Sequence, residues 1–339
     1  MIAWKRSVLT DLEGVYCIEL FHTPQGLKLA AASETHGGWC KLVDLATREE
    51  EVVWTGPGGC MNISQLDESG ALVGIQDFYK GFQSERARLV RACPGAEGWQ
   101  TQVLKVLPYL HRSGVVHTAQ GPYVVASTLC THRSGPEDWS HPGKIQVAPL
   151  PQGEEEIQFR VIQEGIAKNH GFWQGTLDGC PVTLIGGSQG LFRVAPPRDG
   201  GDWQVDKLLD REISDCAVAD LDGDGEDELV TFEGFHGDTA AVNKRVDGVW
   251  QIVYTLPMHF AHAIWAGELL GRNMFAVGYR KGDGRLYLVE HDGSGYRSTL
   301  LEEGVAPSNV RGFVLHGRSY LAAAARDMDQ VVLYELERS

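Results

Sequence analysis

The chain has 339 residues, of which 43 % are hydrophobic and 22 % charged, a balance typical of a globular protein that excludes a disordered chain. Its 41 glycines and 9 tryptophans, with only 5 methionines, favour β-structure with many turns. The formal net charge of −15 argues against nucleic acid as a partner, because such binding depends on basic surface, and leaves small molecules open.

The chain lacks the signals of a membrane or secreted protein. No run of about 18 apolar residues occurs, so the sequence predicts no membrane span. The first seven residues lack the apolar segment of a secretory signal peptide. The seven cysteines are scattered singly without a C-x-x-C pair, which is typical of free thiols in a reducing compartment. We therefore expect a cytoplasmic protein that does not bind membranes.

The sequence repeats in units of four short apolar segments separated by polar turns. Residues that open the units are spaced by 46, 49, 59, 45, 47 and 47 residues, and they are Tyr16, Asn62, His111, His170, Asp215, His262 and Asn309. Units of roughly 40 to 50 residues with four strands are typical of propeller blades. The sequence predicts one all-β domain over residues 1–339, a seven-bladed β-propeller of four-stranded blades. The blades are expected to start near residues 14, 60, 109, 167, 213, 258 and 305.

The N-terminal segment, residues 1–12, is the first predicted strand. Trp4 gives it the pattern of an outer strand, like the segments that contain Trp99, Trp203 and Trp250. The last unit is short by one strand, so we expect residues 1–12 to supply it and to close the ring without a free sheet edge. The second strand of each unit is a nearly continuous run of apolar or small residues, as expected for strands buried between blades.

The third unit is the longest. Its extra residues form a segment rich in Gly and Pro, 131–144, between the second and third strands. Long loops in compact folds often carry function.

The fifth unit contains the acidic loop Asp220-Leu221-Asp222-Gly223-Asp224-Gly225-Glu226-Asp227-Glu228. Carboxylates at alternate positions, with glycines that permit a tight turn, suit the oxygen coordination of Ca²⁺. An EF-hand would need flanking helices and a Glu at position 12, where this chain has Thr231. The predicted calcium ligands are Asp220, Asp222, Asp224, Glu226 and Glu228.

The segment from Ala219 to Leu229 resembles the calcium loop of the FG-GAP/VCBS propeller repeats, which also occur in integrin α-subunits and in propeller-type sugar lyases. In that family the loop joins the first two strands of a blade. The resemblance therefore implies a structural calcium ion on the face opposite the chemistry. Blade two offers only Asp67-Glu68-Ser69-Gly70, which lacks most of the ligands.

Histidines are concentrated on one predicted face. In a blade the first strand begins, and the second ends, at the same rim of the central channel. Seven of the 12 histidines occupy such positions: His36, His111, His132, His141, His170, His236 and His262. Other polar residues at this rim are Tyr79, Arg112, Lys168, Asn169, Asp215, Asp238, Arg280, Asn309, Arg326 and Asp327. The sequence predicts an ionisable pocket at this mouth of the channel.

Three imidazoles at equivalent points of the ring, His111, His170 and His262, could hold a transition metal such as zinc or manganese with an open position. Such a metal polarises a carbonyl or carboxylate. A further group could then take the proton next to it, or clamp an oxyanion. The catalytic candidates are His36, Tyr79, Lys168, His236 and Arg280.

The predicted substrate-binding residues are Arg112, His132, Asn169, Trp173, Asp238, Asn309 and Arg326. Asp238 could also orient the His236 ring. As an architecture, the chain resembles the propellers of aldos-2-ulose dehydratase and of propeller-fold polysaccharide lyases. That resemblance implies a lyase or isomerase acting on a carbohydrate at the channel mouth, with His, Tyr and Arg as its working groups.

Two other functions are compatible with the sequence. The first is a non-catalytic propeller that binds sugar or protein. The second is a glycoside hydrolase, which needs two carboxylates facing a sugar. Asp215, Glu233, Asp238 and Asp327 could supply such a pair. The segment Gly186-Gly187-Ser188-Gln189-Gly190 matches the pattern G-x-S-x-G, but it lies between two predicted strands with no helix after it and is therefore interpreted as a blade turn, not a nucleophile elbow. The chain has no P-loop or Rossmann fingerprint.

Overall fold

The computed structural model describes residues 2–79, 84–198 and 201–338; Met1, part of the predicted N-terminal strand, lies outside them. Seven sheets of four antiparallel strands form a ring, in which each first strand contacts the first strand of the next sheet. The helical structure in the described residues is one 3₁₀ turn, Arg326–Met328. The described residues contain no helix with the length and apolar character that a membrane span requires.

The strands follow the chain from the channel outwards in each blade. Blade one contains β2 (Val15–Thr23), β3 (Gly26–Ser33), β4 (Cys40–Asp44) and β5 (Glu50–Trp54). Blade two contains β6 (Ile63–Gln65), β7 (Leu72–Gln76), β8 (Arg88–Gly95) and β9 (Gly98–Val106). Blade three contains β10 (Leu110–Thr118), β11 (Gly121–Thr128), β12 (Gly143–Pro149) and β13 (Arg160–Ile166). Blade four contains β14 (Gly171–Leu177), β15 (Cys180–Gly187), β16 (Gly190–Ala195) and β17 (Gln204–Leu209).

The remaining blades repeat this order. Blade five contains β18 (Ile213–Ala219), β19 (Glu228–Glu233), β20 (Thr239–Val246) and β21 (Val249–Pro257). Blade six contains β22 (Ala261–Leu269), β23 (Arg272–Tyr279), β24 (Leu286–His291) and β25 (Tyr296–Glu302). Blade seven contains β26 (Asn309–Leu315), β27 (Arg318–Ala325) and β28 (Gln330–Arg338), together with β1 (Ile2–Asp11) from the N-terminus.

The N-terminal strand closes the ring, as the sequence predicts. β1 pairs antiparallel with β28, from Ile2 opposite Arg338 to Asp11 opposite Gln330. Blade seven is therefore built from both ends of the chain, and opening the ring would break a whole ladder of backbone hydrogen bonds. This closure also removes the free edge that β28 would otherwise expose.

The second strands are buried between blades, which confirms the interpretation of their apolar runs. Leu72–Gln76 of β7 are all buried, and so are the last five residues of β27. The outermost strands instead alternate or expose their side chains, as in β9 and β21. Apolar side chains of adjacent blades thus form the core.

A repeated backbone irregularity sets the direction of several channel side chains. The first strands of blades one, three, five and six shift register at their second residue. The residues at these shifts are Tyr16, His111, Ser214 and His262. A β-bulge adds one residue to a strand and redirects its side chain. Three of the four, Tyr16, His111 and His262, line one mouth of the channel.

Candidate functional site

A cavity of about 650 Å³ lies at the mouth of the channel where the first strands begin. We refer to it as the His pocket. It brings together eight of the residues selected from the sequence: His36, Tyr79, His111, His170, His236, His262, Arg280 and Arg326. Its lining also includes residues that the sequence reasoning missed, among them Tyr16, Glu34, Arg133, Phe235, Phe260 and Lys281. Glu34 and Lys281 follow second strands, so the positional rule that selected His36 applies to them equally.

Three imidazoles converge in this pocket. One ring nitrogen from each of His170, His236 and His262 lies within 4.8 Å of the others. The His236 ring is parallel to that of His262, with centroids 5.2 Å apart, and lies 4.6 Å from that of His170. His111, which the sequence predicts as a ligand, has its ring centroid 4.7 Å from that of His170 but is not in this group of nitrogens. The structure therefore puts His236 in the cluster where the sequence analysis placed His111.

Hydrogen bonds fix the tautomers of two of these rings. Nδ1 of His170 donates to the carbonyl oxygen of Ser214 at 3.1 Å, and Nδ1 of His262 donates to that of Ser308 at 2.7 Å. Each Nε2 is consequently an unprotonated acceptor. Nε2 of His170 is buried without a hydrogen-bond partner among the described residues, whereas Nε2 of His262 accepts from the Tyr16 hydroxyl at 3.1 Å. A carbonyl behind the ring is the usual outer support of a metal-binding histidine.

Burial keeps these imidazoles neutral. It is the largest cause that lowers the pKa values of His111, His170 and His262 well below the usual range, with neighbouring cationic groups adding to the effect. Burial likewise lowers the pKa of His236 to about 4. Neutral imidazole is the form that binds metals. An all-nitrogen set of this kind suits zinc better than manganese, which prefers carboxylate oxygens.

The wall of the pocket next to the histidines is cationic. Arg280 is largely buried, its Nε has no hydrogen-bond partner in the described part of the chain, and Asp327 is 3.9 Å from its guanidinium. Lys281 lies over the Phe260 ring at 4.7 Å. Arg326, by contrast, is engaged by Glu34 and by Asp327. Arg280 and Lys281 therefore offer positive charge to an anionic group inside the pocket.

The long loop of blade three covers one side of the pocket. Its Trp139 packs against Phe235 at 5.5 Å and under the Arg133 guanidinium at 4.2 Å. Nζ of Lys168 lies 5.6 Å from the same indole and forms an ion pair with Glu212 at 2.8 Å. Lys168, a catalytic candidate from the sequence, is therefore not part of the lining of the His pocket and already has an acidic partner.

Three predicted binding residues line the opposite mouth of the channel, with Asp215: Arg112, Trp173 and Asn309. Arg112 follows the bulge residue His111, so its side chain takes the other direction, where it donates to the carbonyls of Met61 and His170. Trp173 is the third residue of its strand. Asn309 lies in blade seven, whose first strand has no bulge. These residues therefore line a second cavity, different from the His pocket, with a volume of about 560 Å³.

The other predicted residues lie apart from the cluster. His132 is exposed on the long loop and packs against His141. Asn169 is buried and donates to the carbonyl of Thr128 at 3.1 Å. Asp238 lines a shallow groove beside the pocket and accepts a hydrogen bond from the Thr239 hydroxyl at 3.0 Å. Among the described residues, no hydrogen bond joins Asp238 to the His236 ring.

The carboxylates that a glycoside hydrolase would need do not share the His pocket. Asp215 lines the opposite mouth, and burial raises its pKa to about 6. Glu233 is paired with Arg211 at 2.6 Å, and Asp327 with Arg326. The two-carboxylate arrangement is therefore not supported at the site where the ionisable groups converge.

His236 reaches the cluster from a loop whose backbone conformation is restricted. The residue has φ of 49°, and it is followed by Gly237, where an added Cβ would lie 1.8 Å from the carbonyl oxygen of Glu233. Gly237→Ala is expected to destabilise the protein by about 1–3 kcal/mol, the usual cost of overpacking, and to displace His236. Urea unfolding and metal content should both report it.

The matched control for that variant is Gly295→Ala, because a Cβ at Gly295 meets no atom within 4 Å. Its unfolding midpoint and metal content should equal those of the wild type. Equal stability of the two variants would contradict the assigned role of Gly237.

The acidic loop joins β18 and β19, in the position expected from the FG-GAP/VCBS resemblance. Oxygens of Asp220, Asp222 and Asp224 lie within 4.8 Å of one another. Both oxygens of Asp220 accept backbone N–H groups, from Gly223 and Gly225. The backbone N–H of Glu226 donates a hydrogen bond to the Asp224 carboxylate. The ammonium of Lys244 contacts Asp222, Asp224 and Glu228, so these oxygens already face a cation.

Comparisons with known proteins support the fold only. No protein-family model matches the chain, and no curated protein matches it in sequence. Among solved structures, a candidate 6-phosphogluconolactonase from Bacteroides uniformis ATCC 8492 is similar with a TM-score of 0.60 at 12 % identity, over 95 % of this chain and 92 % of that one. A chain of a mitotic checkpoint complex gives 0.60 at 12 %, over 99 % and 93 %.

A second candidate 6-phosphogluconolactonase, from Bacteroides fragilis NCTC 9343, gives a TM-score of 0.56 at 13 % identity, over 95 % of this chain and 91 % of that one. At such identities the likeness concerns architecture. The protein is thus a seven-bladed β-propeller with a histidine-lined channel mouth. Its resemblance to the FG-GAP/VCBS family stays a prediction.

Proposed function

We propose that the His pocket is a transition-metal centre at which the protein carries out elimination or isomerisation of an anionic, hydroxylated small molecule such as a sugar acid. The observation that carries the proposal is the convergence of three neutral imidazoles, with the Nε2 of His170 buried and unpartnered among the described residues. An acceptor nitrogen that is buried without a donor costs free energy unless a ligand satisfies it.

His170, His236 and His262 would hold the metal, and zinc is the better match for this set of donors. When bound, a divalent metal polarises a carbonyl or carboxylate oxygen and thereby acidifies the adjacent C–H group. The carbonyls of Ser214 and Ser308 keep two of the rings in the required tautomer. Arg280 and Lys281 supply charge for the anionic end of the substrate.

Two further groups fit the roles of base and acid. His111 is neutral, and its buried Nδ1 has no partner in the described residues; in the tautomer with the proton on Nε2, this Nδ1 accepts the proton from carbon. Burial, with a contribution from Asp77, raises the pKa of Tyr79 to about 12. The Tyr79 phenol is therefore protonated at neutral pH, which favours it as donor to a departing hydroxyl group over the base role considered from the sequence.

In an elimination, the C–H bond breaks and its proton goes to Nδ1 of His111, while the electron pair forms the carbon–carbon double bond. The carbon–oxygen bond breaks, and the phenolic proton of Tyr79 converts the leaving hydroxide to water. Proton return from His111 to Tyr79 through solvent restores both groups. Isomerisation would use the same first proton transfer, with the proton returned to a neighbouring carbon.

The test is elemental analysis of protein purified without a His-tag, followed by activity assays on a panel of sugar acids and lactones. The panel includes 6-phosphogluconolactone because two structural neighbours are named as candidate 6-phosphogluconolactonases. About one equivalent of zinc or another transition metal, with turnover lost on chelation and restored by Zn²⁺, is expected. Protein that binds a panel member but has no metal and no turnover would instead support a binding propeller.

A further inference from the structure

The acidic loop of blade five contains a cation supplied by the protein itself. β19 pairs with β20 so that Leu229 lies opposite Asn243. Extending this antiparallel register by one residue places Lys244 opposite Glu228, the last residue of the loop motif. The third strand of the blade therefore delivers an ammonium group to the loop that joins its first two strands.

This ammonium group contacts three of the five predicted calcium ligands. Nζ of Lys244 forms an ion pair with Asp222, lies 2.6 Å from Oδ2 of Asp224 and lies 3.2 Å from Oε1 of Glu228. Glu228 is fully buried, and its other oxygen accepts the N–H of Leu221 at 2.7 Å. A calcium ion would lie about 2.3–2.6 Å from the same carboxylate oxygens, in the space where the ammonium is held.

The surroundings support a permanent charge at this position. Burial alone would lower the pKa of Lys244, but hydrogen bonds with Asp222, Asp224 and Glu228 raise it above its usual range. The loop is also fixed from outside the blade, because Asn273 of blade six donates to the carbonyl of Asp220 at 2.8 Å. Its conformation therefore has both internal and external support without a metal.

We infer that Lys244 is the resident cation of the acidic loop, so that the loop is stable without calcium, and that removal of the Lys244 side chain exposes a latent calcium site. This inference concerns a loop outside the His pocket and is independent of the proposed function. It departs from what the FG-GAP/VCBS resemblance implies for the same residues.

Thermal unfolding and calorimetric titration with CaCl₂ test the inference on the wild type and on Lys244→Ala. The wild-type melting temperature is expected to be the same in EDTA and in millimolar calcium, with no heat of binding. Lys244→Ala is expected to melt several degrees lower in EDTA, and calcium should raise its melting temperature with one ion bound per chain. The double variant Lys244→Ala/Asp222→Asn should lose that response.

Two outcomes would overturn the inference: calcium binding by the wild type that Asp222→Asn abolishes, or no calcium response in folded Lys244→Ala. If Lys244→Ala does not fold, Lys244→Gln replaces it, and the wild-type titration still decides the first point. Lys244→Arg keeps the positive charge and should remain indifferent to calcium. Because His236→Ala leaves this loop intact, it should not change any calcium result.

Discussion

Replacing His170 with alanine is expected to abolish binding of one Zn²⁺ ion to the metal-free protein and to remove any metal-dependent turnover. His170 is expected to be the best prepared ligand, since its Nδ1 is held by Ser214 and its Nε2 is buried and unpartnered among the described residues. Loss of an outer hydrogen-bond partner typically weakens metal binding by roughly 10- to 100-fold. Removal of a ligand itself should cost more than that.

His236→Ala should have nearly the same effect, and His111→Ala serves as the matched control. His111 is also buried and also contacts His170, but it is outside the group of nitrogens within 4.8 Å of one another. Zinc affinity measured by calorimetry should therefore be retained in His111→Ala, while turnover falls if His111 accepts the proton. Retention of zinc by His236→Ala together with its loss in His111→Ala would favour the triad expected from the sequence.

The propeller could be predicted because its signal is repeated. Seven apolar second strands at a regular spacing, together with a last unit that is one strand short, are visible without any coordinates. The N-terminal strand could be placed for the same reason, since it supplies the strand that the last unit lacks and covers the free edge of β28. Periodic burial of side chains is a property of the whole sequence, and single substitutions do little to obscure it.

The set of histidines that converge could be predicted only in part, because it depends on local backbone geometry. Counting positions along strands correctly places His111, His170 and His262 on one face, but it treats them as equivalent. The left-handed conformation of His236 brings this ring to the cluster, and the bulges at His111 and His262 set the directions of those two rings. Neither feature has a distinctive pattern in the sequence, apart from the glycine that follows His236.

Lys244 illustrates a second kind of limit. The acidic motif occupies nine consecutive residues and resembles a calcium loop. Lys244, which faces it, lies on β20, the third strand of the blade. Strand register is needed to bring Glu228 and Lys244 together. A motif read by itself reports which ligands are present, and it does not report which cation the rest of the fold supplies.

The same buried imidazoles should make the protein sensitive to acid. Burial lowers the pKa values of His111, His170, His236 and His262 below the value of about 6.5 expected in the unfolded chain. Between these values the unfolded chain binds more protons than the folded one, so the free energy of unfolding falls as the pH falls. This contribution is fully present above about pH 6.5 and is lost below it.

For His236, a pKa of about 4 in the folded state corresponds to ~3 kcal/mol lost between pH 6.5 and pH 4. The other three histidines act in the same direction. Asp215 acts in the opposite direction, because burial raises its pKa to about 6 and protonation therefore favours the folded state on acidification. Burial also raises the pKa of Glu228, which acts in the same direction as Asp215. Four histidines against these two carboxyl groups should leave a net loss, measurable as the free energy of unfolding in urea from pH 7.5 to pH 4.5.

The histidine origin of this loss can be separated from general acid effects. His236→Asn should flatten the dependence on pH, since the unfolded chain then gains one proton fewer. The control His117→Gln removes an exposed histidine from β10 and should leave the slope unchanged. Zn²⁺ should raise stability at pH 7.5 and lose this effect on acidification, because protons compete for the same nitrogens. A free energy of unfolding that stays constant down to pH 4.5 would contradict the neutral, buried state of the cluster.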